Sequence, residues 1–367
     1  MGISVNQKKF VDYVRNTGPS LLFPSDATEL RITDLQKMDT QGLSNRMYVF
    51  SITYYLGTRL YQNPFLLRVY RGSDEDRWIR EYKSLKTLKA HGIPVPKAYA
   101  LEVDSKKIGV PFMIMEKVEG LSSSHFLNTE KNALAVVDSL ARTLASVHKL
   151  DPSVLFKRNG LDNQIEYVQE KILKIEKLVK LEYSTNFSIF ARTKYLDAIR
   201  KLKEVKIEKD KPTLVHGDYG PDHVLFGKNG PVIVDWEGIS MGDPAYDVGW
   251  MYHVLLLEGR YLIDHRFVST KEQNAFNIDL REHFVKRYEN YFGKRPANLE
   301  FYKILAAIRL AVVLDLYLRP GLFSICRNLR SMGLSRTLTQ IIFARGSIKS
   351  FHNYCLEFLD DESILNM

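Results

Sequence analysis

Over the first third of the chain, apolar residues alternate or cluster instead of recurring at helical spacing. Met47 to Tyr55 and Phe65 to Tyr70 are rich in β-branched and aromatic residues with turn residues between them, which predicts an antiparallel sheet within residues 30 to 70. The charged stretch from Asp74 to Ala90 predicts a helix, stopped by His91-Gly92-Ile93-Pro94, because glycine followed by proline ends a helix. Val110 to Met115 is a continuous apolar run of strand length and predicts a buried strand.

After Glu119-Gly120 the texture changes. Val136, Val137, Leu140, Ala141, Leu144 and Val147 recur at intervals of three and four, giving one apolar helix face. The same spacing predicts helices over 164–182, 193–205, 299–318 and 338–358. Between them, residues 213 to 235 read strand, loop, strand, turn, strand, with Gly227-Lys228-Asn229-Gly230 as a hairpin turn. Residues 258 to 298 mix charge and aromatics without a clear period. The whole pattern predicts an α+β chain of two lobes: a small sheet lobe with one main helix over 1–117, and a larger, mostly helical lobe with the hairpin over 118–367.

Composition narrows the classes. At 367 residues and 45% hydrophobic content, the chain is long enough for a core in each of two domains. Lys plus Arg number 52 against 43 Asp plus Glu, a net charge of +9 that favours anionic partners. The charges interleave, and neither a basic arm nor a nucleic-acid module is present, so nucleic acid is not an expected partner. Two cysteines, Cys326 and Cys355, are too few for a disulfide scaffold and point to a reducing compartment. The first twenty residues lack a secretory pattern. The most apolar segment, Ile304 to Leu318, carries Arg309 and Asp315 and falls short of the roughly 20 residues a bilayer span needs. A cytoplasmic chain with no membrane partner is the expectation.

The candidate chemistry lies in 213–235. A hairpin closed at 227–230 sets the start of its first strand beside the end of its second, so His223 and Asp235 are expected as neighbours, with Asp218 entering from the preceding loop. Burying unpaired carboxylates on an apolar ribbon is costly, and a bound cation would relieve that cost.

Three segments in order carry a resemblance: Leu214-Val215-His216-Gly217-Asp218, Val232-Ile233-Val234-Asp235-Trp236-Glu237, and Gly242-Asp243-Pro244-Ala245-Tyr246-Asp247. They resemble the aminoglycoside phosphotransferase and choline kinase-like family, which has a two-lobe protein-kinase-like fold. Gly42-Leu43-Ser44-Asn45-Arg46-Met47-Tyr48 is similar to that family's phosphate-covering loop, and Pro111 to Glu116 to its interlobe hinge. The resemblance implies a kinase moving the terminal phosphate of a magnesium nucleotide, ATP or GTP, onto the hydroxyl of a small substrate, with the nucleotide in the cleft. It implies Asp218 as the residue that orients the acceptor hydroxyl and takes its proton, and His223 and Asp235 as magnesium ligands. For the nucleotide it implies Gly42, Ser44 and Asn45 of the loop, Arg68 paired with Glu81, and Met115, Glu116 and Val118 at the hinge.

Two positions depart from the family pattern. His223 stands where Asn is commonest, a nitrogen donor in place of a hard oxygen. Arg68 stands where the family has Lys, and a guanidinium grips phosphate bidentately. His216 is expected to brace the Asp218 loop, Asp243 and Asp247 to serve a helix start, and Glu237 to support the metal or cap a turn. A nucleotide-binding pseudokinase serving as an interaction module is the alternative, and a transition-metal hydrolase site built from His216, Asp218, His223 and Asp235 is a third reading. Oligomeric state and acceptor are left open.

Overall fold

The computed structural model describes residues 5–18, 20–38, 46–127, 130–156, 162–182, 189–208, 210–261, 279–317 and 354–359. The chain forms two compact units, Met1–Gly120 with Val232–Glu237, and Leu121–Pro231 with Gly238–Met367.

In the first unit, β1 (Thr28–Ile32), β3 (Arg46–Leu56), β4 (Arg59–Val69), β6 (Phe112–Glu116) and β5 (Ala98–Glu102) form a sheet in that spatial order, with β2 (Gln36–Lys37) also paired to β3. β3 and β4 pair antiparallel without interruption from Arg46 opposite Val69 to Leu56 opposite Arg59. Their tight connection passes through Gly57 at φ 58°, a left-handed conformation glycine adopts without steric cost. Strand alternation sends Phe50, Ile52 and Tyr54 of β3 and Phe65, Leu67 and Val69 of β4 into the core. α1 (Gln7–Thr17), which the hydrophobic pattern did not announce, closes that core. Phe10 meets Phe50 edge-on at 4.9 Å and Tyr13 meets Phe112 at 4.9 Å. α2 (Glu75–Ala90) starts where expected, because the Asp74 carboxylate accepts from the Arg77 amide at 3.1 Å and caps it. It buries Trp78, Leu85, Leu88 and one acid, Glu81, with Trp78 stacked on Tyr70 at 5.1 Å.

The second unit is mainly helical: α3 (Glu130–His148), α4 (Asp162–Glu182), α5 (Ile189–Glu204), α6 (Ala245–Tyr261), α7 (Leu280–Phe292) and α8 (Leu299–Tyr317). Its core joins Ile172, Ile175 and Val179 of α4, Tyr195 and Ile199 of α5, Trp250 and Val254 of α6, and Leu305, Ile308 and Val312 of α8. α6 and α8 approach so closely that a Cβ on Gly249 would lie 2.7 Å from the carbonyl carbon of Tyr302, which is why glycine stands there. α7 falls inside the stretch without a clear period, yet Leu280, Phe284, Val285 and Tyr288 are buried at helical spacing. Of the helix expected over 338–358, only residues 354–358 lie within the described chain; they are helical, and Cys355 is buried. Two short ribbons complete the unit: β8 (Thr213–Val215) with β11 (Ser240–Gly242), and β7 (Leu121–Ser122) with β9 (Val224–Gly227). After a turn the chain continues into β10 (Gly230–Ile233). Among the described residues, no helix is long and apolar enough to cross a membrane.

Candidate active site

In the first unit the site is a buried guanidinium surrounded by carboxylates. Arg68, near the end of β4, is 3% exposed. Its Nη1 lies 3.2 Å from Glu81 Oε1, while Nη2 donates to Asp235 Oδ1 at 3.0 Å and to Glu237 Oε2 at 2.8 Å. The planar fork of Arg serves the two directions from two separate nitrogens held in fixed geometry. The pairing of Arg68 with Glu81 that the resemblance implied is present, and Asp235, 167 residues from Arg68 in sequence, joins it.

Charge balance explains the protonation behaviour. Burial and the neighbouring Glu237 and Asp235 carboxylates outweigh the attraction of Arg68 and push Glu81 up to about 7. Burial alone would lower Arg68, but Glu81, Asp235 and Glu237 hold it well above its ordinary value. The Tyr70 hydroxyl donates to Glu81 Oε2 at 3.1 Å, and Arg77 pairs with Glu237 at 3.0 Å. Glu237 thus joins two arginines, where the sequence had suggested metal support or a turn cap. Asp235 sits at φ 65°, a left-handed conformation uncommon for a side-chain-bearing residue. Such strain persists only where surroundings impose it and is concentrated at functional sites. Here Arg68 holds the carboxylate, and Trp236 Nε1 donates to the Ile233 carbonyl at 3.0 Å.

In the second unit the site is the loop that follows β8. Gly217 has φ 89°, and a Cβ there would meet the Gly238 carbonyl oxygen at 2.7 Å, so the turn admits only glycine. Asp247 clamps this turn. Its carboxylate accepts from the His216 amide at 2.7 Å and the Gly217 amide at 2.8 Å, and pairs with His148 Nε2 at 3.2 Å. Burial opposes the charge of Asp247, but the hydrogen bond from His148, the nearby His148 and His216 rings and the Gly217 amide lower its pKa below the ordinary range. At the helix start expected of both acids, Asp243 caps α6 by accepting from the Ala245 amide at 2.8 Å, while Asp247 instead reaches back to the loop.

The clamped loop presents Asp218 and His223. The Asp218 amide donates to His216 Nδ1 at 3.3 Å, so His216 braces the loop from within the core. His223 Nδ1 lies 2.6 Å from the Asp218 carbonyl oxygen. A carbonyl only accepts, so Nδ1 carries the proton and, in the neutral ring, Nε2 keeps its lone pair. Such a backbone-oriented imidazole is arranged as ligating histidines are. The 221–223 turn is anchored by serines absent from the sequence reading: Ser122 and Ser124 donate to Asp222 Oδ1 at 2.9 and 2.8 Å, and Ser123 to the Pro221 carbonyl at 2.7 Å.

Another residue the sequence reading passed over is Arg309. Its Nη2 lies 3.9 Å from Asp218 Oδ1, its Nη1 donates to the Gly217 carbonyl at 3.4 Å, and it is 5% exposed. A lone arginine inside the most apolar helix was the available signal, since such a residue is almost never buried without a partner.

Of the other anticipated residues, Gly42, Ser44 and Asn45 lie outside the described residues. Met115 is buried at the end of β6, and Glu116 Oε2 accepts from the Lys97 amide at 2.9 Å. Val118 is half-buried in the segment after β6. Among the described residues, no group of three or more His, Cys, Asp or Glu is arranged to hold a metal ion. A magnesium ion demands less, because it commonly takes one or two protein ligands together with water and phosphate oxygens. The Asp235 carboxylate is an oxygen donor of that kind.

Comparison with known proteins agrees with this architecture. The fold is similar to that of a Ralstonia eutropha protein assigned as an aminoglycoside phosphotransferase, at 20% identity and TM-score 0.64, covering 97% of this chain and 99% of that one. It is also similar to Cryptosporidium parvum choline kinase, at 13% identity and TM-score 0.59, covering 98% of each. At these identities the likeness is one of fold, a kinase-like α+β phosphotransferase fold. In sequence the chain is 25% identical over 247 residues to mouse acyl-CoA dehydrogenase family member 10, covering 64% of this chain but only 22% of that protein's length. Residues 40–302 match the model of the phosphotransferase enzyme family, and the chain belongs to that family.

Proposed function

We propose that this chain is a small-molecule kinase that transfers the terminal phosphate of a magnesium nucleotide to a substrate hydroxyl. The observation that carries the reading is the loop of Asp218. A carboxylate is held at the end of β8 by a glycine-only turn whose amides are clamped by a buried, ionised Asp247. Phosphoryl transfer asks little covalent chemistry of a protein and much positioning, so a rigidly mounted carboxylate suits it.

In this reading Asp218 orients the acceptor hydroxyl and takes its proton. No raised pKa is needed, because proton transfer comes late in a loose transition state. His223 and Asp235 hold the metal, and Arg68, positioned by Glu81, binds phosphate oxygens. Gly42, Ser44 and Asn45 cover the phosphates, with Met115, Glu116 and Val118 at the nucleotide's base. When bound, the magnesium nucleotide supplies the phosphoryl group, and the metal offsets its charge. Residues 1–117 serve the nucleotide and 118–367 the acceptor. Activity in the cytoplasm and the absence of nucleic-acid or membrane partners belong to the same proposal.

The test is nucleotide consumption by the purified chain, with ATP and with GTP, across a panel of hydroxylated metabolites and antibiotics, with magnesium and with chelator. The proposal expects consumption that one class of compound stimulates and chelation removes. Nucleotide binding without turnover across the whole panel would instead make the chain a pseudokinase.

A further inference from the structure

Arg68-Val69-Tyr70 closes β4 with two polar side chains on one face and Val69 on the other, because strand side chains alternate. On α2, Trp78 and Glu81 are three residues apart and share a helix face. These two faces meet twice. The Tyr70 ring stacks on Trp78 at 5.1 Å, and Arg68 Nη1 lies 3.2 Å from Glu81 Oε1. The Tyr70 hydroxyl joins the two contacts by donating to Glu81 Oε2 at 3.1 Å. Glu81, 2% exposed, thus has one partner on each carboxylate oxygen, the guanidinium on Oε1 and the phenol on Oε2. Met113 Sδ, 3.9 Å from the same hydroxyl, is a weak acceptor and competes poorly for its proton. Asp235 and Glu237 hold Arg68 at its other nitrogen, Nη2, and so draw the guanidinium against the pull of Glu81.

We infer that Tyr70 is a positioning residue of the nucleotide site: its hydroxyl fixes the Glu81 carboxylate, and Glu81 in turn fixes the guanidinium of Arg68. The inference rests on the phosphate-binding role proposed for Arg68. A buried carboxylate oxygen left without a donor is costly, and Tyr70, itself 2% exposed, supplies that donor where water has little access. The place of the ring is set by contacts that do not involve Glu81, the stack on Trp78 and the Tyr70 amide donating to the Pro111 carbonyl at 3.0 Å, so the hydroxyl is aimed before it bonds. Charge leads the same way. Arg68 and Tyr70 touch Glu81 from β4, and Asp235 and Glu237 act on it from beyond Arg68; burial and these two carboxylates push Glu81 up to about 7, and the hydrogen bond from Tyr70 works against that rise. Without the hydroxyl, Glu81 takes up a proton more readily. A neutral Glu81 no longer balances Asp235 and Glu237 across the guanidinium, and Arg68 loses its fixed place.

The experiment compares the full unmodified chain with Tyr70→Phe, which keeps the ring and its stack, with Glu81→Gln, and with the double variant, each checked for folding by circular dichroism. ATP and adenosine are titrated by calorimetry with magnesium present. The Glu81 carboxyl is followed against pH by NMR of the labelled carboxyl carbon, its signal identified by its loss in Glu81→Gln. The expected result is that Tyr70→Phe weakens ATP binding about tenfold, leaves adenosine binding unchanged and raises the Glu81 midpoint. In the Glu81→Gln background, Tyr70→Phe should add no further loss, because the hydroxyl acts through that carboxylate. Tyr70→Leu provides a second removal of the hydroxyl with the same expected direction. A midpoint that neither variant moves, unchanged ATP affinity, a loss that falls equally on adenosine, or losses that add in full in the double variant would overturn the inference. Absence of ATP binding by the unmodified chain would sink the kinase reading and, with it, the place of Tyr70 in a nucleotide site, whereas an unmoved midpoint beside normal ATP binding would sink the role of Tyr70 alone.

Discussion

His253, on α6, is wholly buried, with Nε2 donating to the Lys303 carbonyl at 2.9 Å and Nδ1 accepting from the Tyr354 hydroxyl at 3.2 Å. Both ring nitrogens are therefore satisfied in the neutral ring, without a charge. Burial, with smaller contributions from Arg281 and Lys303, lowers its pKa to about 3 from the ordinary 6.5. Between those values the unfolded chain binds the proton that the folded chain refuses, so this contribution to stability is complete above pH 6.5 and is lost as pH falls toward 3. Stability should drop by about 2 kcal/mol from neutrality to pH about 5 because of this one group. Urea unfolding at both pH values checks it: His253→Gln should flatten the difference, and an unchanged difference would contradict the assignment. Other residues were unevenly legible from sequence. Asp218, His223 and Asp235 stood out because their motif is local and ordered. Arg309 and the loop-clamping role of Asp247 did not, since each acts on groups tens of residues away in sequence that only folding brings near.

At the scale of elements, the seam between α6 and α8 carries a sharp test. A Cβ at Gly249 would lie 2.7 Å from Tyr302 C and 2.9 Å from Lys303 N, backbone atoms that no rotamer change can move aside. Gly249→Ala gains up to about 1 kcal/mol of helix propensity but incurs overpacking of about 1–3 kcal/mol, and it displaces the helix that bears Arg309. A net loss of about 1 kcal/mol or more in urea unfolding is expected; a variant as stable as the parent would show that the helices part freely. The long elements were readable because their patterns are strong: β3, α2, α4, α5 and α8 lie within a few residues of their expected bounds, while β4 begins six residues before the apolar run that announced it. α7 was not, because Glu282, Arg287 and Tyr291 share its sequence with the buried Phe284 and Tyr288 and blur the period. α1 and β5 escaped for a related reason, being short and carrying only two buried residues each.

At the scale of the whole molecule, the +9 charge predicted only a preference for anions, and the structure gives some of the cations particular positions. In the first unit, the buried Arg68 is committed to three carboxylates. In the second, Lys171, Lys174 and Arg309 line one hollow. Sequence order nominated the candidate site residues, while the packing partners that hold them were set by tertiary structure. The role proposed for Asp218 in phosphoryl transfer is measured most directly by magnesium-dependent phosphate transfer by Asp218→Asn beside its nucleotide affinity. Transfer is expected to fall about a thousandfold with nucleotide affinity retained, since the amide keeps the shape of the loop and loses only the proton acceptor. Transfer by Asp218→Asn at the rate of the unmodified chain would contradict it.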